Sequence, residues 1–352
     1  LKKDSFEVKD FFAQSNIAGL VDPADKGLPA AIIETLLTGG SKGATKTTDI
    51  VAALSKFEKF HVNSIVPLFS RDATDDIADN LTDAASTYTI DGIHQAVKTH
   101  ISIMKTTKKR SERQGYLSVK SSYAAAKEKV GNMADARLQM MIQDIRQSNA
   151  QGVIKWFQPW ALACLMAGAR GGAPIGLPLT FKFLNCSGIR HSSQPMNTAE
   201  ADIVVDFDPD TQYDDAIQSG VTFLEAPRTG GFRVIVDNTT YGIDDNWVYN
   251  RANVLHAGDI VAYNFRNIME SRYIGVKNNV LAAEVRSTAE SVLATYLSQG
   301  ITVGTDDAPQ GFKDLSVRIE GSTIFISVTV KLVEGIDFVL VDIVLQRASQ
   351  NA

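Results

Sequence analysis

The stretch Asp91-Gly-Ile-His-Gln-Ala-Val-Lys-Thr-His-Ile-Ser-Ile-Met-Lys105, followed after a basic run by Gln114-Gly-Tyr-Leu-Ser-Val119, carries the reading of the fold class. Ile93, Val97, Ile101 and Met104 return every three or four residues, which places them on one face of a helix. Gln114 to Val119 reads as a short strand. Upstream, Ile50, Val51, Leu54 and Phe57 recur at helical spacing, Asp49 stands where a cap is needed, and Val62 to Phe69 reads as a buried strand. Downstream, Met133 to Arg146 reads as helix and Gly152 to Phe157 as strand. Strands alternating with helices predict an α/β core layer with parallel pairing over residues 36–215. Residues 1–35 hold a short segment, Phe6 to Phe12, and turns around Asp22-Pro23 and Gly27-Leu28-Pro29, and read as a boundary segment. The chain opens on Leu1-Lys-Lys-Asp rather than Met, as expected of a processed or truncated piece of something longer.

The pattern changes near residue 220. Before it, Ile203 to Phe207 reads as a strand leading into the acidic turn Asp206-Phe-Asp-Pro-Asp210. After it come a strand at Phe232 to Asp237 and helices over Asp259 to Tyr273 and Leu281 to Leu297, the second stopping at Gly300. Two terminal strands follow, Ile324 to Val333 and Ile336 to Arg347, separated by Glu334-Gly335. Residues 220–352 are therefore expected to form an α+β C-terminal domain ending in β-strands. The last strand has one fully apolar side, with Val339, Val341, Ile343 and Leu345, and carries Ile336, Phe338 and Leu340 as well. A long apolar strand at a terminus needs a partner. Either it closes a sheet in its own domain, or it is donated to another subunit.

Composition narrows the function classes. With 352 residues, 44% hydrophobic and 21% charged, the chain is an ordinary globular sequence with room for two cores. A net charge of −5 argues against general nucleic-acid binding, which requires a basic surface. Cys164 and Cys186 have neither CxxC nor Cys/His spacing, so no disulfide framework or zinc site follows. The longest apolar stretch, Val153 to Ala169, is broken by Lys155, Gln158 and Pro159 and is too short for membrane insertion.

Motifs for chemistry fail one by one. Gly39-Gly-Ser-Lys-Gly-Ala-Thr-Lys-Thr47 is the nearest approach to a phosphate loop, but Thr45 stands where a Walker loop needs Gly before Lys-Thr. His61, His94, His100, His191 and His256 have no metal spacing, and no Gly-x-Ser-x-Gly elbow occurs. Asp206, Asp208 and Asp210 alternate without completing a calcium loop, and read as a solvated turn. Lys98, Lys105, Lys108, Lys109, Arg110 and Arg113 read as a solvated helix end, with salt bridging between subunits as the less favoured reading. No catalytic, cofactor-binding or metal residue is assigned, and the chain is not expected to be an enzyme.

The order of several weak motifs is informative. Leu37-Thr-Gly-Gly-Ser-Lys-Gly43 with the helix ending Ala52-Ala-Leu-Ser-Lys-Phe-Glu58, Phe157-Gln-Pro-Trp160 with the glycine-proline loop Gly168 to Pro178, and the run Ala216 to Leu224, Gly231 to Tyr241, Asn250-Arg251 and Arg266 to Gly275 resemble, in order and spacing, the contractile tail sheath proteins of phages. The resemblance covers about residues 36–347 and departs at the front, where sheath proteins begin with an extended arm and many carry inserted domains. It implies a structural subunit without cofactor that stacks as six-membered rings around an inner tail tube protein. Contraction of that sheath drives the tube through the host envelope. It further implies partners in the baseplate and tail terminator, no direct nucleic acid, a place in the virion tail, and assembly in the host cytoplasm. On this resemblance, Ile336, Phe338, Leu340, Val341, Ile343 and Leu345 form a subunit-linking strand, and Arg266, Glu270 and Lys277 are expected to face the tube. On the helix from Asp259, Val261, Phe265 and Ile268 form the inward stripe, and a simple pairing of Arg266 with Glu270 is the alternative to tube contact. The competing reading of the whole chain is an α/β ligand- or nucleotide-binding enzyme with an appended α+β domain.

Overall fold

The computed structural model describes residues 44–73, 86–106, 108–149, 152–196, 198–244, 246–275 and 280–333. The chain divides into two compact units, Leu1–Gly43 and Ala44–Ala352, and all described residues lie in the second. Its elements run α1 (Thr47–Phe57), β1 (Ser64–Ile65), α2 (Ile90–Met104), β2 (Gln114–Ser118), α3 (Tyr123–Met133), β3 (Leu138–Met141), β4 (Asp144–Ser148), β5 (Ile154–Phe157), α4 (Pro159–Gly172), β6 (Phe183–Leu184) and β7 (Gly188–Arg190). They continue with α5 (Tyr213–Gln218), β8 (Val221–Thr222), β9 (Leu224–Glu225), β10 (Phe232–Val234), α6 (Trp247–Asn250), α7 (Ala252–Tyr273), α8 (Ala282–Ser298), β11 (Phe312–Glu320) and β12 (Thr323–Val330).

The centre is a parallel sheet in the order β1-β2-β3-β8. Its strands alternate side chains between two apolar layers: Leu117, Leu138 and Met140 enter a core with α1, α2 and α3, while Tyr116 and Met141 enter a second core under α4. With helices on both faces, every residue of β2 and β3 is buried, as parallel strands require. Gly115 is needed where α2 crosses β2. A Cβ there would lie 2.6 Å from Leu138 Cδ2 and 2.9 Å from Ile101 Cδ1.

The helix expected over residues 133–146 is absent. Leu138-Gln-Met-Met141 has good helix formers, but a place between β2 and β8 imposes strand geometry on it. The helix lies upstream as α3, capped by the Ser122 hydroxyl, which accepts from the Ala125 amide, and ended by Ala134 at φ 40. Ile203 to Phe207 is likewise not a strand. Val204 and Val205 face solvent, and the Val204 amide donates to Gln194 Oε1. The strand expected over residues 62–69 shrinks to Ser64–Ile65.

The expected division at 215–220 runs through shared sheets. β8 pairs with β3, and β10 pairs with both β6 and β9. Beyond these, α7 and α8 pack on the β11–β12 hairpin through Val261, Phe265, Met269, Val285, Ala289, Leu293 and Tyr296. A bulge between Lys313 and Ser316, with Asp314 at φ 56, lets both Phe312 and Leu315 reach the helical side. α8 ends as expected at Gly300, whose φ of 69 lets the Gly300 amide donate to Leu297 O and the Ile301 amide to Tyr296 O.

Candidate functional site

In an open α/β layer a ligand binds outside the carboxyl ends of the strands, against a helix N-terminus. Here that place is filled by the chain's own charges. Lys120, just past β2, donates to both carboxylate oxygens of Asp144 at 3.0 and 2.8 Å and to Ser192 O at 2.9 Å. Arg190 Nε closes on the same carboxylate at 3.3 Å. Burial shifts both partners toward neutrality, lowering the Lys120 pKa and raising that of Asp144, against their mutual attraction. At the start of α3 the Tyr123 amide donates to Asp206 Oδ2 at 3.0 Å, so a side-chain carboxylate occupies the position of an anion. Asp206 is thus a capping group rather than part of a solvated turn. Asp208, by contrast, serves its own loop, accepting from Asp210 N and the Thr211 hydroxyl.

The remaining sequence candidates are also engaged within the chain. Lys46 is the N-cap of α1, its amide donating to Asp49 Oδ2 at 2.8 Å; Gly39 to Gly43 lie outside the described residues. The basic run is not simply a solvated helix end. Lys109 pairs with Glu58 at 2.7 Å, Arg110 with Glu270 at 2.6 Å, and buried Arg113 contacts His100 Nε2 while donating to Phe57 O and Phe60 O. Arg266 and Glu270 do not pair with each other; each reaches across to the loop before β2, Arg266 lying 3.6 Å from Glu112. Ile268 is exposed, and Met269 takes the inward place expected for it. Lys277 and the strand residues Ile336, Phe338, Leu340, Val341, Ile343 and Leu345 lie outside the described residues.

Sequence reasoning missed the pair Arg170–Asp237, whose side chains are 1% and 0% exposed. The signal was present: Arg170 closes the longest apolar stretch and Asp237 ends an apolar strand, so each charge sits where only a partner could hold it. Among the described residues no three His, Cys, Asp or Glu side chains are placed to hold a metal, and no helix is long and apolar enough to cross a membrane.

Two buried histidines set a pH dependence. His94 Nε2 lies 3.1 Å from Ser118 O, and burial holds its pKa, like that of His256, down at about 4. The unfolded chain binds these protons near pH 6.5, so stability is complete above that pH and is lost as pH falls toward 4. Each ring is expected to cost a few kcal/mol at the acid end, on the order of the 1.36 kcal/mol carried by each pKa unit. Urea midpoints measured between pH 7.5 and 4.5 should fall steeply for the wild type and less for His94→Gln. Equal slopes would contradict the assignment.

The β11–β12 hairpin is a two-stranded sheet among the described residues, so each strand has an outer edge without a ladder partner. Past β12, residues 331–333 continue against 301–303, with Val303 N donating to Lys331 O and Val333 N to Ile301 O. An edge of this kind offers one chemistry, the pairing of backbone groups with an added strand.

The described residues therefore form an α/β layer whose strand ends are occupied by its own charges, carrying a hairpin whose outer edges have no ladder partner among the described residues. No protein-family model matches the chain. It is 25% identical over 334 residues to the tail sheath protein of Bacillus phage SP01, covering 94% of this chain and 51% of that protein, so it spans about half the length of its curated relative. Its fold is similar to that of the sheath tail protein from Desulfitobacterium hafniense, with a TM-score of 0.54 at 16% identity over 88% of this chain and 66% of that one. It is similar also to the helical sheath of the anti-feeding prophage in its contracted state, with a TM-score of 0.57 at 10% identity over 87% and 77%. By sequence the chain is similar to a phage tail sheath protein, and by fold to solved sheath proteins.

Proposed function

We propose that this chain is a structural subunit of a contractile tail sheath, polymerising around an inner tube and shortening to drive that tube through a host envelope. The observation that carries the reading is the likeness to a phage tail sheath protein along 94% of the chain. The carboxyl end of the parallel sheet, where the competing ligand-binding reading would place its site, is filled by Lys120, Asp144, Arg190 and Asp206. The partners follow from the resemblance: further copies in stacked six-membered rings, the tube protein, the baseplate and the terminator, all in the virion tail. The linking strand Ile336 to Arg347 is assigned to a neighbouring subunit, where the unpaired edge of a hairpin like β11–β12 would receive it. Sedimentation of the complete gene product should show large assemblies that grow with concentration. A single small species at all concentrations, with or without tube protein, would count against the reading.

The tube-facing surface is assigned on the same basis to α7 and the residues after it. Because Arg266 and Glu270 already have partners on the loop before β2, any tube contact they make is shared with those pairs. Reversing Arg266 and Lys277 together is expected to weaken assembly on tubes, more at low salt, where screening is weaker. Unchanged assembly across a salt series would remove this helix from the interface.

A further inference from the structure

A cavity of about 140 Å³ opens between α7 and the start of β2, lined by residues that include His61, Glu112, Arg113, His256, Asp259 and Tyr263. Its polar groups are incompletely served. Glu112 Oε2 is fully buried and has no hydrogen-bond partner among the described residues. The other oxygen, Oε1, has Arg266 at 3.6 Å, beyond hydrogen-bond reach. His256, 8% exposed, lines the same cavity. Leaving a buried carboxylate oxygen unpaired is among the costlier arrangements a fold can hold, so the site calls for a donor.

The surrounding cations have most of their donors engaged elsewhere, and none is bonded to Oε2. Arg137 is spent on Asp259, with Nε to Oδ2 at 3.0 Å and Nη2 to Oδ1 at 2.5 Å. Arg113 directs both terminal nitrogens at His100, Phe57 O and Phe60 O, leaving only its buried Nε unpaired. Two carboxylates therefore share the cavity, and burial together with the charge of Glu112 raises the Asp259 pKa. The rings of His61 and Tyr263 form one wall, stacked at 4.0 Å and 12°. A stacked aromatic wall beside a carboxylate with one unserved oxygen attracts a cation through both charge and ring quadrupole.

We propose that this cavity is a binding site for an ammonium or guanidinium group, which donates to Glu112 Oε2 and to the ring of His256 and lies against the Tyr263–His61 stack. The volume is several times the roughly 30 Å³ that one water occupies in the liquid, enough for the head of a basic side chain. Such a group can come from a Lys or Arg of a second copy of this chain, or from a free amine. The site does not rest on the sheath reading.

The test titrates the chain with methylguanidinium and, separately, with neutral acetamide, following the ring resonances of His256 and Tyr263. Saturable shifts with methylguanidinium alone are expected, weakened at least tenfold in Glu112→Gln and reduced in Tyr263→Leu, whose unchanged urea midpoints would show that the variants fold. If methylguanidinium also lowers self-association, and Glu112→Gln lowers it likewise, a second copy supplies the cation. If self-association is untouched while the probe binds, a free amine does. Absence of saturation, equal shifts in Glu112→Gln, or a high-resolution structure showing ordered waters only in the presence of the probe would overturn the proposal.

Discussion

Replacing Asp237 with alanine is expected to destabilise the fold by about 3–5 kcal/mol, the range for breaking a buried ion pair on one side only. Asp237 lies at the meeting point of four elements. Its Oδ2 takes the Arg170 guanidinium from α4 and the Leu179 amide at 3.1 Å, its Oδ1 takes Gln139 from β3 at 3.1 Å, and its carbonyl accepts from the first amide of α7 at 3.1 Å. Removing the carboxylate leaves a guanidinium with a 1% exposed side chain and no counter-ion. The cost is the stranded charge, not the worth of the pair. Arg170→Met combined with Asp237→Leu should therefore recover the part of the loss due to the stranded charge, while the Leu179 amide loses its acceptor and Gln139 one of its own. Urea unfolding of the single and double variants checks this. A single variant within about 1 kcal/mol of wild type, the size of an exposed pair, would show the charge reaching water.

The second large effect concerns assembly. Deleting residues 336–347 from the complete protein is expected to leave a soluble, folded subunit and to abolish ordered sheaths. The described core supports the first half: α7, α8 and the hairpin pack their apolar residues against one another. The second half rests on the apolar side of the deleted strand and on hairpin edges that have no ladder partner among the described residues. Circular dichroism and electron microscopy of the variant separate the outcomes. Loss of folding would show that the strand pairs within its own domain.

How much of this was legible in the sequence depended on how each segment buries itself. α2 and β2 were readable because one face of the helix is apolar and the strand is short and flanked by charge. β3 was not, because Leu, Gln and Met favour helices and only its place inside the sheet makes it a strand. α4 was hidden in an apolar stretch with little one-sided pattern, although Pro159 at its first turn marked its start. The basic run was visible as charge, but its partners Glu58 and Glu270 are 51 and 160 residues away from the lysine and arginine they meet. Distance in sequence likewise concealed the cavity, whose walls join the loop around His61, the start of β2 and the middle of α7.

The central claim is assembly into a contractile sheath, and electron microscopy of the complete gene product expressed with its tube protein tests it most directly. Hollow cylinders of stacked six-fold rings around a tube, or shorter and wider empty cylinders, are the expected result. Isolated particles beside bare tubes, at concentrations where the tubes themselves form, would contradict it.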